Sequence, residues 1–384
     1  MNTETALKLS ELRNEPAWLA GRRKEAAKAF EKLPAPEFRY GMRIFHDIDL
    51  NLSSMDPLSH RNEDIIKAPE DVVVLDFTEA IKDYEDLIRD NFMSTMKDKI
   101  AAMHSAFFTN ALFILIPSNK TIKEPIRINN RTDGKRIDNI LIIAEENSSA
   151  AIIDSCKGDC IRSHITELIA EENAQISYIS IQNCKDAIYL SRKRAEVMKN
   201  ASVKWFDCNL GSSFAKSDIS SVLKEEGASS YNAGLFFGSD DRKLDLFGKV
   251  IHEAPHTDSD MLVRGICTGK AKTIFRGLIK IDRNAHDCSG FQREDALLLS
   301  ETAEVDAVPM LEINNDDVQC SHGTSVGQVD KEKLFYLMSR GLSHDEAEHM
   351  ITEGFFQPLL KKLDDNLAEE VKSIIFDQLK KVTS

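Results

Sequence analysis

From Ala111 onward, apolar and polar positions alternate in short segments. Among them are ALFILI, NILIIAE, AQISYISIQ, SVKWFDC and KTIFRGLIKI, separated by Asn, Asp, Gly and Ser. A period of two sends successive side chains to opposite faces, so this stretch predicts many short strands bounded by turns. The segments also keep a register. NSSAAI begins at Asn147, NAQISY at Asn173, NASVKW at Asn200 and GASSYN at Gly227, spacings of 26, 27 and 27 residues. In each of the first three, a turn-former is followed by small or apolar residues at alternate positions: Ser148, Ala150, Ile152; Ala174, Ile176, Tyr178; Ala201, Val203, Trp205. A recurrence of this length with no helix between units matches one coil of a β-solenoid, in which every coil stacks its inward residues on the next. GKAKTI, at Gly269, falls out of that spacing.

On both sides the period turns helical. EPAWLAGRRKEAAKAFEKLPAPE carries Trp18, Leu19, Ala26, Phe30 and Leu33 near one helical face and stops at PAP. A second helical pattern, TEAIKDYEDLIRDNFMSTMKDKIAAMHSAF, is interrupted only at RDN. After Val329, Asp330 is placed to cap a helix bearing Leu334, Phe335, Leu337 and Met338, with Gly341 to end it. Ser343 and Glu346 form a capping box for a helix with Ala347, Met350 and Ile351. Leu367, Val371, Ile374, Ile375 and Leu379 share one face of a last helix. The expected layout is a helical region over 1–110, a β-helix core over 111–329 and a helical region over 330–384.

The chain has 384 residues and a formal net charge of −14, which argues against nucleic acid or an anionic membrane as partner. The small basic cluster Arg192, Lys193 and Arg194 is expected to be a solvated strand end. MNTETALKLSELRNEP lacks the pattern of a signal peptide, and no apolar run approaches the ~18 residues needed to cross a bilayer. A cytoplasmic location is therefore expected, in which the seven cysteines stay reduced.

Candidate chemistry is sparse. GICTGK has too few residues between its glycines for a phosphate loop and no Ser or Thr after Lys270. CKGDCIRSH spaces Cys156, Cys160 and His164 as a metal could use them; the other readings are a reactive or sulfur-carrying Cys156, or thiols packed at a turn. Asp240 with Asp241, and Asp316 with Asp317, are neighbours that a strand would send to opposite faces, which favours turn placement over a catalytic couple. In QCSHG, an extended backbone puts Cys320 and His322 on one face, a thiol and an imidazole suited to iron, zinc or copper(I). Two ligands do not close a coordination shell, and the plainer reading is a buried thiol beside a hydrogen-bonded His.

KTIFRGLIKI, DALLLS, PMLEINNDD, CSHGTSVGQVD and LFYLMSRGLSHDEAEHMITEGFF occur in this order, and the chain resembles the SufB/SufD family, the core scaffold subunits of the SUF iron–sulfur cluster assembly system. SHITELIAEENAQISYISIQN, DCNLGS and IHEAPHTDSD are similar to the SufB side; EPAWLAGRRKEAAKAFEKLPAPE and CSHG are similar to the SufD side. The resemblance covers nearly the whole chain and is weakest over 40–110. It implies a right-handed parallel β-helix with N-terminal and C-terminal helical segments and a non-enzymatic role. It also implies a SufC-type ABC ATPase docked on the C-terminal helices, a sulfur donor, and pairing with a SufB/SufD-type paralogue or a second copy of the chain. A transient iron–sulfur cluster, built from iron and sulfide, would form where the two subunits meet; a flavin is left open. By position, His322 matches an interface His of both subunit types, Cys320 the SufD Cys, and Cys156 a SufB Cys proposed to receive sulfur. Glu294 stands where SufB carries its scaffold Cys, and Gly323 where SufB carries Glu. Either a SufB partner supplies that thiol, or the chain pairs with itself and uses Cys320 with Glu294 toward the metal. The alternatives are a cytosolic β-helical carbohydrate-active enzyme and a structural partner subunit without a ligand of its own.

Overall fold

The register of the chain is set at its corners. Asn147, Asn173, Asn200 and Gly227 take φ of 57°, 60°, 55° and 73°, the left-handed region that Asn and Gly enter at least cost. Their side chains then stack from coil to coil: Asn173 Nδ2 donates to Asn147 Oδ1 (2.9 Å), and Asn147 Nδ2 to Asn119 Oδ1 (3.1 Å). A Cβ on Gly227 would stand 2.3 Å from Asn200 Oδ1, so the column changes to glycine where a side chain no longer fits. It continues through His256 and Asp287, with φ of 56° and 50°, over longer coils. Gly269 lies in the opposite corner, where the Lys270 N–H reaches the Asp240 carbonyl at 2.5 Å. GKAKTI is out of step because it starts the other side of a coil.

The computed structural model describes residues 1–48, 50–54, 61–92, 98–158, 160–184, 187–363 and 365–383. α1 (Thr3–Leu12), α2 (Ala17–Lys32), β1 (Arg61–Lys67), β2 (Val73–Asp76), α3 (Phe77–Asn91) and α4 (Lys99–Phe107) lead into β3 (Asn110–Ile116) and β4 (Ile126–Ala144). One sheet then stacks β5 (Ser149–Gly158), β7 (Gln175–Cys184), β9 (Ser202–Asn209), β11 (Ser229–Gly238), β13 (Asp258–Cys267), β15 (Cys288–Leu298) and β17 (Val318–Gln328). The other stacks β6 (Cys160–Ala170), β8 (Ile188–Val197), β10 (Phe214–Leu223), β12 (Lys243–His252), β14 (Lys272–Ile281) and β16 (Glu304–Ile313). Neighbours pair in parallel, one coil apart, and the chain is a mainly β solenoid of about eight turns. α5 (Lys331–Ser339), α6 (His344–Leu360) and α7 (Asp365–Thr383) follow.

Alternation inside the coils works as the pattern predicts. Ile152, Ile176, Tyr178, Val203 and Trp205 are buried in one interior cluster. The outward residues of the first sheet, including Ile153, Ile179, Phe206 and Phe237, are covered by Phe356, Leu359, Leu367, Val371 and Ile375 of α6 and α7. Leu19, Ala26 and Phe30 of α2 join Phe113, Leu141 and Ile143 on the outer face of the second sheet. Asp330 caps α5 through the Glu332 and Lys333 N–H groups, and the Ser343–Glu346 capping box opens α6. The side chains of Leu379 and Cys160 lie outside what the structure describes.

Two expectations are corrected. The stretch before residue 110 is not wholly helical: β1 runs antiparallel to residues 127–133 of β4, and β2 antiparallel to β3, closing sheet edges that would otherwise be open for pairing. The break expected at RDN is where the helix stops: α3 finishes at Asn91 with Phe92 as its cap, and a further irregularity falls at Tyr84; residues 93–97 lie outside the described set. The basic cluster is not a solvated strand end. It occupies the middle of β8, where Lys193 is fully buried and its Nζ meets Asp207 and Ser191 at 2.9 Å. Alternation turns Lys193 inward, and an inward carboxylate one coil away answers its charge.

Candidate functional site

The two ends of the solenoid differ. The first coil is closed by antiparallel strands, whereas among the described residues β16 and β17 pair only with the coil beneath them, and β17 is exposed over most of its length. On its inner face, Val318 and Cys320 still pack against the interior cluster. His322, two residues on, faces the same way by alternation and is exposed because nothing stacks above it. Burial raises the Cys320 thiol, opposed by a backbone hydrogen bond at Gly290. Gly290 is its register partner; a Cβ there would come within 3.4 Å of Cys320 Sγ.

One coil below, Gln292 lies under His322 and Glu294 under Thr324. Both are 3% exposed. Gln292 Nε2 donates to Glu294 Oε1, and among the described residues Glu294 Oε2 and Gln292 Oε1 are buried without a hydrogen-bond partner. Burial pushes the Glu294 carboxyl up to about 7, with Gln292 acting in the other direction. Unanswered oxygens beneath an open face suit a proton or a cation. Glu294 therefore lies next to the Cys320–His322 pair, one coil down and diagonal to the His. Among the described residues no three His, Cys, Asp or Glu side chains are grouped to hold a metal ion.

Cys156 is elsewhere. It faces inward from β5, six coil steps from β17, roughly 29 Å at about 4.8 Å per step. It is 1% exposed, and its Sγ lies 3.1 Å from that of Cys184 on β7. His164 is no partner of this thiol; it belongs to a buried polar network, with Nδ1 2.9 Å from Asp138 and Nε2 2.8 Å from Thr166. In the same network Arg162 Nη2 donates to Asp138 (2.7 Å) and the Tyr178 hydroxyl to Asp154 (3.0 Å). Burial works against the Asp138 charge, but Arg136 and then Arg162 hold its carboxyl well below the ordinary range. A second buried polar group, Lys193 with Asp207, adjoins a cavity of about 30 Å³ lined by Asp207, Asn209, Ser217, Asn232 and Gly234. Met261, Val263 and Phe275 also line that cavity, so the polar interior stops short of Gln292 and Glu294. Sequence reasoning missed Cys184, Gln292 and this network. Their signal was polar residues at inward positions of an otherwise apolar register.

The C-terminal helices present a second surface. Phe335, Tyr336 and Met338 of α5 and Met350 of α6 are exposed. Phe355 of α6 packs on the solenoid, where Arg264 donates to its carbonyl and lies over its ring. Among the described residues, no helix is long and apolar enough to cross a membrane.

The model of the SUF system FeS cluster assembly SufBD core domain matches residues 126–355. An iron-sulfur cluster assembly SufBD family protein of Staphylococcus epidermidis is 28% identical over 96% of this chain and 90% of its own length. Proteins of the same description from Staphylococcus haemolyticus and Staphylococcus aureus have the same identity and coverage.

Proposed function

The chain belongs to the SufBD family of SUF-system iron–sulfur cluster assembly proteins, and from that premise we propose that it is a non-enzymatic scaffold subunit that pairs through the open end of its solenoid. The observation that carries the proposal is the contrast between the ends: one is closed by β1 and β2, and the other, among the described residues, leaves β16 and β17 without a further strand. A long unpaired edge invites association, and this one holds Cys320 and His322 above Glu294. A thiol, an imidazole and a carboxyl near its titration point form an incomplete shell for iron, to be completed by a SufB/SufD-type paralogue or by a second copy of the chain. Iron and sulfide are then cargo. When iron enters, Cys320 gives up its proton and so does Glu294, because both ligands bind as anions. A shell divided between two chains opens when the chains move apart, which a docked SufC-type ATPase could drive from the exposed side chains of α5 and α6. Cys156 receives sulfur from a donor protein, remote from the site of assembly, in the cytoplasm. Family membership leaves the carbohydrate-processing reading without support. The test is the native mass of the complex purified from its own cell: two SufBD-family chains with ATPase subunits bound are expected, and a monomer without ATPase would overturn the proposal.

A further inference from the structure

Cys184 has no role in the function just proposed, yet its sulfur is 3.1 Å from that of Cys156. The two thiols come from adjacent coils. Cys156 is opposite Gln182, and Cys184 is opposite Gly158, which has no side chain to separate the sulfurs. With Ala187 they form a small buried cluster of their own. Arg162 stands close by. Burial disfavours its charge, but Asp138 first, then the Cys156 thiolate and Asp154, hold the guanidinium well above its ordinary range. Its Nη1 is buried and has no hydrogen-bond partner among the described residues. A fixed cation with an unused donor stabilises a sulfur anion beside it. At the closed end a cavity of about 510 Å³ is lined by Asn130, Arg136 and Asp138, and Asn130 is the register partner of Cys156.

We propose that Cys184 is the resolving thiol for sulfur carried as a persulfide on Cys156, an inference that rests on Cys156 being the sulfur acceptor. Cys184 Sγ attacks Cys156 Sγ. The bond between Cys156 Sγ and the terminal sulfur breaks, its electron pair leaves with that sulfur, and the Cys184 proton goes with it, giving hydrosulfide and a Cys156–Cys184 disulfide. The carried sulfur is reduced and the two thiols are oxidised by the same two electrons, so the release step needs no outside reductant. An external dithiol then reduces the disulfide and resets the pair. Sulfur is thereby released as sulfide, the oxidation state in which a cluster takes it up.

The test loads the fully reduced, full-length chain with inorganic polysulfide under anaerobic conditions, removes the excess, and follows free sulfide together with peptide masses after alkylation. The wild type is expected to release sulfide without added reductant and to yield a Cys156–Cys184 crosslinked peptide. Cys184→Ser and Cys184→Ala, two variants of different polarity, should keep one extra sulfur on Cys156 and release sulfide only when dithiothreitol is added. If the wild type holds its persulfide as long as the Cys184 variants do, resolution by Cys184 is wrong while Cys156 remains an acceptor. If Cys156 gains no sulfur in any of the three proteins, the acceptor reading fails and this inference with it.

Discussion

Glu294 is 3% exposed, and a carboxylate in that position is costly unless a cation answers it. Its folded-state value of about 7 lies above the ordinary 4.5, which fixes the sign of its effect on stability. Below pH 4.5 both the folded and the unfolded chain hold the proton. Between 4.5 and 7 only the folded chain does, so stability falls as pH rises through that window, by on the order of 2–3 kcal/mol in all. Glu294→Gln cannot ionise and should escape this loss. Urea unfolding at pH 8 should find the variant more stable than the wild type by about that amount, with little difference at pH 4; an equal difference at both values would show that the carboxyl does not titrate as its burial implies. The same substitution should weaken iron retention, because the amide cannot supply the anionic oxygen. The sequence marked Glu294 only as a departure from a Cys-bearing pattern. Its raised value comes from burial, against which the Gln292 hydrogen bond acts; the packing around that pair is tight enough that a Cβ on Gly277 would stand 1.9 Å from Gln292 Nε2, and no linear pattern shows it.

At the scale of elements, α6 and α7 are committed to the outer face of the first sheet, while α5 buries none of its residues. Removing everything after Asp330 would uncover Ile153, Ile179, Phe206 and Phe237 together, so deletion confounds folding with docking. Point changes on α5 separate them. Phe335 and Met338 are 73% and 41% exposed, and Phe335→Ser with Met338→Ser should shift stability by no more than about 0.5 kcal/mol yet abolish co-purification of the ATPase. Undiminished ATPase capture would place the docking surface elsewhere. These helices were legible because their signals are local: a capping Asp330, a Ser343–Glu346 box, a spacing of three and four. Corners were legible for the same reason, since Asn147, Asn173 and Asn200 each state a backbone conformation by residue type. β1 was not. RNEDIIK reads as a polar segment, and it becomes a strand because residues 127–133 of β4 offer an edge, a fact that lies 60 residues away even at its nearest register pair, Lys67 with Arg127.

Across the whole molecule, charge is where sequence reasoning and structure part most clearly. A Lys, an Arg or an Asp in an alternating segment reads as the solvent side, yet Lys193 and Arg162 are turned inward and are answered by inward carboxylates, Asp207 and Asp138 respectively. Such pairs cost desolvation that apolar residues would not, and a solenoid that stacks Ile, Val and Leu elsewhere has no structural need of them. Their placement beside Cys156 associates the polar interior with the closed half of the molecule, while the open end carries Cys320 and His322 over Glu294. The two halves do different chemistry in this reading, and the last prediction tests the open one. Cys320 and His322 sit on the terminal coil, where neither supports another layer, so Cys320→Ala and His322→Ala should fold and pair nearly as the wild type does. Each should reduce anaerobic iron–sulfur reconstitution, His322→Ala more severely, because the exposed imidazole is free to reach a partner subunit whereas the thiol is half sunk against the interior cluster. Visible absorption of the purified complex after reconstitution measures it. A cluster signal undiminished in the double variant would leave the pair as a packed thiol and a surface His, and would move the assembly site off the open end of the solenoid.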